Sequence, residues 1–140
     1  MNVIIDTSIW SFALRRKPTS LSRQQKLLLD GWAGLIQRRQ ALMLGPIRQE
    51  LLSDIRDPAV FDRLREKLRA FPDLPLTTED YEEAAHCSNV CRAGGVAGSP
   101  VDFLLCAAAL RRDVSIFTID EDFPRYALML PIRLHRPRRQ

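Results

Sequence analysis

Short, unbroken apolar runs alternate along the chain with longer stretches in which apolar residues recur every three or four positions. The runs at residues 2–5, 41–44 and 114–118 predict buried strands, because strands covered on both faces lack a polar alternation. Residues 76–77 and 132–134 are expected to form two further short strands. This alternation predicts an α/β fold, a sandwich with a mostly parallel central sheet.

The stretches between the predicted strands carry helical start signals. Ser22 begins a long predicted helix that reaches Arg39, and Thr78 is the predicted cap of a helix that reaches about Arg92. Three more helices are expected to begin at pairs that contain proline, since an early helical proline sacrifices no hydrogen bond. These pairs are residues 45–46, 57–58 and 99–100.

Length and composition narrow the classes of function. The 140 residues suit a single domain, expected over residues 1–134, followed by a basic tail at residues 135–140. A formal charge of +4 and a pI near 9.3 favour nucleic acid or another anionic partner. Neither a signal peptide nor a bilayer-length apolar stretch is visible, so a cytoplasmic protein without membrane contact is expected. Cys87, Cys91 and Cys106 lack zinc-ligand spacing and are expected to be free thiols.

Four acidic residues lie at the edges of predicted elements. Asp6 and Asp120 directly follow strands, whereas Glu50 and Asp102 lie in helices or at their starts. Ligand sites of such sheets form beyond the carboxyl ends of the strands, so Asp6 and Asp120 are expected on one edge. Carboxylates without histidine or cysteine suit Mg²⁺ or Mn²⁺, which are hard cations that take oxygen ligands. The four acids therefore indicate a metal site in a basic protein.

Each acid also has a purely structural explanation. Asp6 and Asp102 can cap helices, and Asp120 can cap a turn. Glu50 is expected at the margin of the core, because apolar residues share its helical face. A carboxylate at that margin is costly unless it is paired or bound to a cation.

Phosphodiester cleavage would give the four acids a joint purpose. Divalent metals lower the pKa of bound water and bind phosphate oxygens, and several carboxylates are needed to hold them. The hydroxyls of Thr7 and Thr118 are candidates for orienting a water or a carboxylate, and Asp122 is a possible fifth acid. Helix capping is the favoured role of Ser8.

Four segments, in order, resemble the motifs of PIN-domain ribonucleases, specifically VapC-type toxins of bacterial and archaeal toxin–antitoxin pairs. Residues 3–10 are similar to the first motif, and Glu50 within residues 45–51 matches the helix glutamate. Asp102 matches the third acid, and residues 117–123 match the late Thr-x-Asp-x-Asp-Phe motif. The resemblance covers nearly the whole chain. It departs from the family only in the bulky residues 103–106, which leave the third acid unchanged.

The resemblance implies a Rossmann-like, three-layer PIN sandwich and endonucleolytic cleavage of RNA that depends on Mg²⁺ or Mn²⁺. It also implies a homodimer and a small VapB-like antitoxin that covers the active site. Carried over by position, the catalytic and metal-binding acids are Asp6, Glu50, Asp102 and Asp120, with Thr7, Thr118 and Asp122 in support. Asp6 and Asp102 are the expected direct ligands.

A basic segment follows the helix that is predicted to begin after Asp6, near the sheet edge that carries Asp6. Arg15, Arg16 and Lys17 are candidates for holding RNA phosphates. A solvated helix end with cations near the helix dipole explains the same residues equally well.

The main alternative is a non-catalytic RNA-binding or scaffolding PIN-like domain, which is expected to lack one or more of the acids; this chain has all four. A phosphatase or signalling receiver on a similar sheet fits poorly. The phosphatase needs an acid where Ser8 stands, and both need a late lysine, but none follows Lys67. A flap-type DNA nuclease needs a larger chain.

Overall fold

A computed structural model describes residues 1–15 and 20–137 of the chain. Three strands occur within those residues: β1 (Val3–Ile5), β2 (Ala41–Leu42) and β3 (Ser115–Phe117). The helices within the same residues are α1 (Thr7–Arg15), α2 (Arg23–Gln37), α3 (Gly45–Leu52), α4 (Pro58–Leu68), α5 (Thr78–Ala93), α6 (Pro100–Arg112) and α7 (Asp122–Tyr126).

The three strands form one parallel sheet in the order β2-β1-β3. In the central strand, Ile4 lies opposite Leu42 on one side and Ile116 on the other. All three residues of β1 are buried, as the unbroken apolar run predicts for a strand covered on both faces. The α/β three-layer architecture and the parallel sheet are therefore confirmed.

The two shortest predicted strands do not form. Thr77 is instead the N-cap of α5, and the chain pairs a little earlier, where Asp73 makes an isolated bridge to Met43. At the other edge, residues 132–134 are reduced to one bridge between Leu134 and Ile116. Asp73 lies outside the first predicted segment, and the second segment meets the sheet at a single residue, so neither forms a ladder.

Capping chemistry sets most helix starts where the sequence placed them. Ser22 and Gln25 form a reciprocal capping box at α2. The cap of α5 is Thr77 and not Thr78, because Asp80 accepts a hydrogen bond from the Thr77 backbone at 2.8 Å. Helix α7 was not predicted; its five residues are anchored by the buried rings of Phe123 and Tyr126.

The middle of helix α6 is buried on every side, and the helix contacts both β3 and α5. Seven consecutive residues of α6 are buried, from Phe103 to Ala109, which is two turns of helix. The run of alanines in this stretch lets neighbouring elements approach closely. The start of α6, with Asp102, is thereby fixed relative to the sheet.

The three cysteines are free and buried, as expected. Burial raises the pKa of the Cys87 thiol to about 11, with the nearby Glu83 carboxylate adding to the effect. The thiols therefore behave as small apolar residues of the core.

The start of the predicted basic tail lies against the sheet. The His135 backbone N–H donates to the carbonyl of Ile116 at 2.7 Å, and its ring lies 5.1 Å from that of Phe117. Residues 138–140, like Arg16 and Lys17, lie outside the described residues. Within the described part of the chain, no helix combines the length and apolar character needed to cross a membrane.

Candidate active site

Asp6 lies at the carboxyl end of the central strand and joins it to α1. Its backbone carbonyl accepts hydrogen bonds from Ile9 and Trp10, which start the helix. Its side chain is only 5% exposed. The carboxylate oxygen Oδ2 accepts hydrogen bonds from Ser8 Oγ at 2.7 Å and from Thr118 Oγ1 at 2.8 Å. Asp6 therefore begins the helix with its backbone while two hydroxyls satisfy one oxygen of its carboxylate.

The same two hydroxyls attach the loop after β3 to the loop after β1. Ser8 Oγ accepts a hydrogen bond from the backbone of Ile119 at 3.1 Å, and Thr118 Oγ1 accepts one from Asp120 at 3.0 Å. Adjacent parallel strands end side by side, so these two loops meet at one edge. This edge, with Asp6, Asp102, Asp120 and Asp122, is called the acidic edge below.

Asp102 reaches the acidic edge from the first turn of α6. Ser99 caps this helix and accepts a hydrogen bond from the Asp102 backbone at 3.1 Å, so the predicted capping arrangement is present. The Asp102 Oδ2 atom accepts a hydrogen bond of 2.7 Å from the hydroxyl of the buried Tyr126. Burial raises the pKa of Asp102, and the charges of Asp6 and Asp120 raise it further, while the Tyr126 hydrogen bond opposes them.

Three carboxylates come together closely enough to share one cation. Asp102, Asp120 and Asp122 each offer an oxygen within 4.8 Å of the other two. The side chain of Asp120 is oriented by the loop after β3, because its Oδ1 accepts a hydrogen bond from the Asp122 backbone N–H at 2.9 Å. A set of donors made only of oxygen atoms fits Mg²⁺ or Mn²⁺ better than zinc or copper.

Glu50 stands apart from this group. It is exposed rather than at the margin of the core, so that expectation was wrong; the buried residues of α3 are Ile47 and Leu51, and Glu50 lies outside that buried face. Its partner is Thr7, whose hydroxyl donates to Glu50 Oε1 at 2.7 Å. Thr7 therefore connects the start of α1 to α3 and holds the glutamate beside the helix that Asp6 begins.

The four predicted acids share a pattern in their hydrogen bonds. Each uses one carboxylate oxygen for protein contacts: Oδ2 of Asp6 and Asp102, Oε1 of Glu50 and Oδ1 of Asp120. Among the described residues, the other oxygen of Asp6, Glu50 and Asp120 accepts no hydrogen bond, whereas the Asp102 carboxyl group has Ser99 as a second partner. Side chains held by one oxygen with the second left over are suited to bind a cation.

Two contributors to the site were missed or undervalued from sequence. Ser8 does donate to Asp6 next to the helix start, but it also bonds across to the loop after β3. Tyr126 lies 24 residues after Asp102, and no spacing rule connects them. Gly98, the residue before the cap of α6, leaves room for the Tyr126 hydroxyl, because a Cβ at this position would lie 2.4 Å from the hydroxyl oxygen.

The predicted basic contacts are described only in part. Arg15 is the exposed last residue of α1. Arg16 and Lys17 lie outside the described residues, so their proposed contact with RNA stays a prediction.

Comparison with known proteins places the chain in a family. Residues 3–128 match the PIN domain. A comparison with curated protein sequences found no match. The chain therefore belongs to the PIN domain family, as its motifs indicated.

Two solved structures share the fold over nearly the whole chain. One is the crystal structure of FitAcB from Neisseria gonorrhoeae, with a TM-score of 0.75 and 17% identity, covering 96% of this chain and 97% of that one. The other is VapBC2 from Rickettsia felis bound to a DNA fragment from its promoter, with a TM-score of 0.75 and 15% identity. That match covers 96% of this chain and 98% of the other.

Proposed function

We propose that this protein is an endoribonuclease that depends on Mg²⁺ or Mn²⁺ and acts as the VapC-type toxin of a toxin–antitoxin pair. The observation that carries the proposal is the acidic edge, where oxygens of Asp102, Asp120 and Asp122, from separate parts of the chain, lie within 4.8 Å of one another. Membership of the PIN family, whose members are generally nucleases, gives that edge its chemistry.

Asp102, Asp120 and Asp122 would hold the cation, with Asp6 beside them as a further ligand. A divalent cation bound there supplies positive charge that stabilises the charge building on a phosphate and makes water more acidic. Three clustered carboxylates repel one another, so neutralisation by a cation also lowers the electrostatic cost of the folded site.

The protein residues would do the positioning. Ser8 and Thr118 hold Asp6 Oδ2 and so fix the orientation of its carboxylate group. Tyr126 does the same for Asp102. Glu50, held by Thr7, would orient the attacking water or accept its proton. Precise placement of this kind lowers the barrier because the groups need little rearrangement in the transition state.

The biological setting is proposed from the similar structures. FitAcB and VapBC2 share the fold of this chain. A small VapB-like antitoxin is proposed because the second structure is a VapBC complex, and a homodimer and a cytoplasmic location are proposed from the resemblance of the motifs to VapC-type toxins. A non-catalytic RNA-binding PIN-like domain is the second candidate, and the basic charge of the chain would favour it if the acids proved inert.

Cleavage of a labelled total-RNA pool by purified protein tests the proposal. Discrete products are expected with Mn²⁺ or Mg²⁺ and none with EDTA. Asp6→Asn keeps the shape of the side chain and removes its charge, so cleavage should fall by about 100-fold or more while the protein stays folded. Asp62→Asn, an exposed acid on α4, is the matched control and should cleave normally.

Two results would count against the proposal. Undiminished cleavage by Asp6→Asn would remove Asp6 from the site. Binding of RNA without cleavage under either metal would favour the non-catalytic candidate.

A further inference from the structure

A second charged surface lies at the amino ends of the strands, opposite the acidic edge. An open cleft of about 1720 Å³ is formed by the beginnings of β1 and β3, the side of α2, and the chain after residue 132. It is called the basic cleft here, because its lining includes the side chains of Arg23, Lys26, Arg38, Arg133 and Arg136. The acidic edge lies at the carboxyl ends of the same strands. Because β1 and β3 have three residues each, the two surfaces are about 10 Å apart along the strands.

The positive charges of the basic cleft are mostly uncompensated. Its carboxylates are Asp30 and Asp113, and Asp113 is already paired with Arg133 at 3.0 Å. Arg23, Lys26 and Arg136 are exposed and have no hydrogen bond or ion pair with any described residue. Unpaired, solvent-exposed cations collected on one surface of a +4 protein attract a polyanion.

One wall of the basic cleft is a stripe along α2. Arg23, Lys26, Asp30 and Gly34 recur every three or four residues and therefore share one helical face. Helix α2 has 15 residues, which gives this wall a length of about 22 Å. The side chain of Arg38, just past the helix, donates only to the neutral side chain of Gln40 among the described residues.

The other wall is the C-terminal segment, and Gly31 in α2 allows it to approach, whereas Gly34 makes room for the Arg38 side chain. A Cβ on Gly31 would lie 2.9 Å from Pro137 Cβ, and one on Gly34 would lie 2.9 Å from Arg38 Nη1. Glycine is the least favourable residue in a helix interior after proline, so two of them in one helix require a reason. For Gly31 the reason is close packing of the segment that carries Arg136, and for Gly34 it is the neighbouring Arg38 guanidinium group.

Backbone contacts hold this second wall in place. Ile116 donates to the carbonyl of Arg133 at 2.9 Å and accepts from His135 at 2.7 Å. The His135 ring packs edge-on against Phe117. Arg133 and Arg136 lie on either side of His135 and are therefore held in place by the same contacts. In the sequence, Arg138 and Arg139 follow directly.

We propose that the basic cleft binds the phosphodiester backbone of RNA, so that a long substrate is held at this edge while it is cut at the acidic edge. The inference rests on the proposed function. Within the described lining there is no Trp, Tyr or Phe, and the His135 ring packs against Phe117, so the cleft offers cations rather than an aromatic protein anchor. The unpaired cations Arg23 and Lys26 on one wall and Arg136 on the other, with Arg38 about 22 Å beyond Arg23, fit repeated phosphates. They predict binding that depends on salt and not on sequence.

Binding measurements with a cleavage-deficient protein test this assignment. In the Asp6→Asn background, the cleft variant Arg23→Ser/Lys26→Ser/Arg136→Ser is compared with the control Arg63→Ser/Lys67→Ser/Arg69→Ser on α4. Both lose three exposed cations. The ligands are a labelled structured RNA of about 70 nucleotides and a hexanucleotide, and Kd is measured over a range of KCl concentrations.

The cleft variant should bind the long RNA at least tenfold more weakly, with a salt slope smaller by about two to three. The control should change little, and the hexanucleotide, which reaches fewer of the cations at once, should lose less affinity in the cleft variant than the long RNA does. Equal losses in both variants, or no loss in the cleft variant, would overturn the proposal. The proposal would also be overturned if poly-glutamate displaced the labelled RNA as effectively as unlabelled RNA does, because that result would indicate an acidic protein partner.

The readout is separate from catalysis. If protein with wild-type acids cleaves no RNA but the cleft variant still weakens binding, the cleft assignment stands and the nuclease assignment fails.

Discussion

Two sets of buried or half-buried carboxylates in this molecule have opposite surroundings. Asp80 is fully buried and accepts hydrogen bonds from Arg111 at 2.9 Å and from two nitrogens of Arg112 at 2.7 and 2.8 Å. Asp102 is half-buried with a tyrosine hydroxyl as its partner and two other acids nearby. One carboxylate is neutralised by the protein itself, and the other is not.

The pKa values follow this difference. The hydrogen bonds from Arg112 hold the pKa of Asp80 well below its usual range, and those from Thr77 and Arg111 lower it further against the effect of burial. Burial and neighbouring acids raise the pKa of Asp102. A carboxylate that the fold neutralises stabilises the protein, whereas a cluster left unneutralised destabilises it and is suited to an external cation.

The largest expected effect is on stability at the neutralised carboxylate. Asp80→Ala leaves Arg111 and Arg112 without their acceptor and should lower the free energy of unfolding by about 3 kcal/mol. Urea unfolding should show an earlier midpoint at an unchanged slope. Asp62→Ala, which breaks an exposed pair with Arg65, should cost less than about 0.5 kcal/mol. Similar losses in both variants would show that Asp80 is no different from a surface acid.

Acid should remove the same contribution. The folded-state pKa of Asp80 lies below the unfolded value of about 3.9, so its stabilisation is complete above that pH and is lost as the pH falls further. The gap in unfolding free energy between the wild-type protein and Asp80→Asn should therefore narrow below about pH 4. A gap that is constant down to pH 2.5 would contradict this assignment.

A smaller effect is expected where a neutral hydroxyl positions an acid. Tyr126→Phe removes the hydrogen bond to Asp102 Oδ2 and leaves the buried ring in place. Mn²⁺ affinity, measured by calorimetry, should fall by about tenfold, as is usual when a group that orients a metal ligand is lost. Tyr81→Phe, at a tyrosine 56% exposed on α5, should leave the affinity unchanged. Unaltered Mn²⁺ affinity in Tyr126→Phe would remove Tyr126 from the site.

The smallest expected effect has the opposite sign to that at Asp80. Asp102→Asn removes a half-buried charge close to other acids, so in EDTA at pH 7 it should stabilise the protein by up to about 1 kcal/mol. Because the folded-state pKa is raised, the penalty exists only where Asp102 is ionised, and the gain should shrink as the pH falls through that pKa. Thermal unfolding in EDTA between pH 4 and pH 8 measures it, and a clear loss of stability at pH 7 would contradict the comparison.

The sequence patterns predicted the three strands that form and most of the helices. Unbroken apolar runs such as that of β1 are diagnostic because a strand covered on both faces has no polar side. The strands expected at residues 76–77 and 132–134 failed because short runs pair only if a neighbour is present, and that depends on the rest of the chain. Helix α7 was missed because five residues are too few for a periodic pattern.

Sequence order alone determined which acids the chain offers, and the motifs around Asp6 and Asp120 placed both after strands of one parallel sheet. The tertiary structure decided their partners. Tyr126 reaches Asp102 across 24 residues, and the basic cleft unites Arg23 with Arg136 across more than a hundred. Local patterns carry backbone preferences over a few residues, whereas charge, burial and hydrogen bonding at a site depend on atoms that only the folded chain brings together.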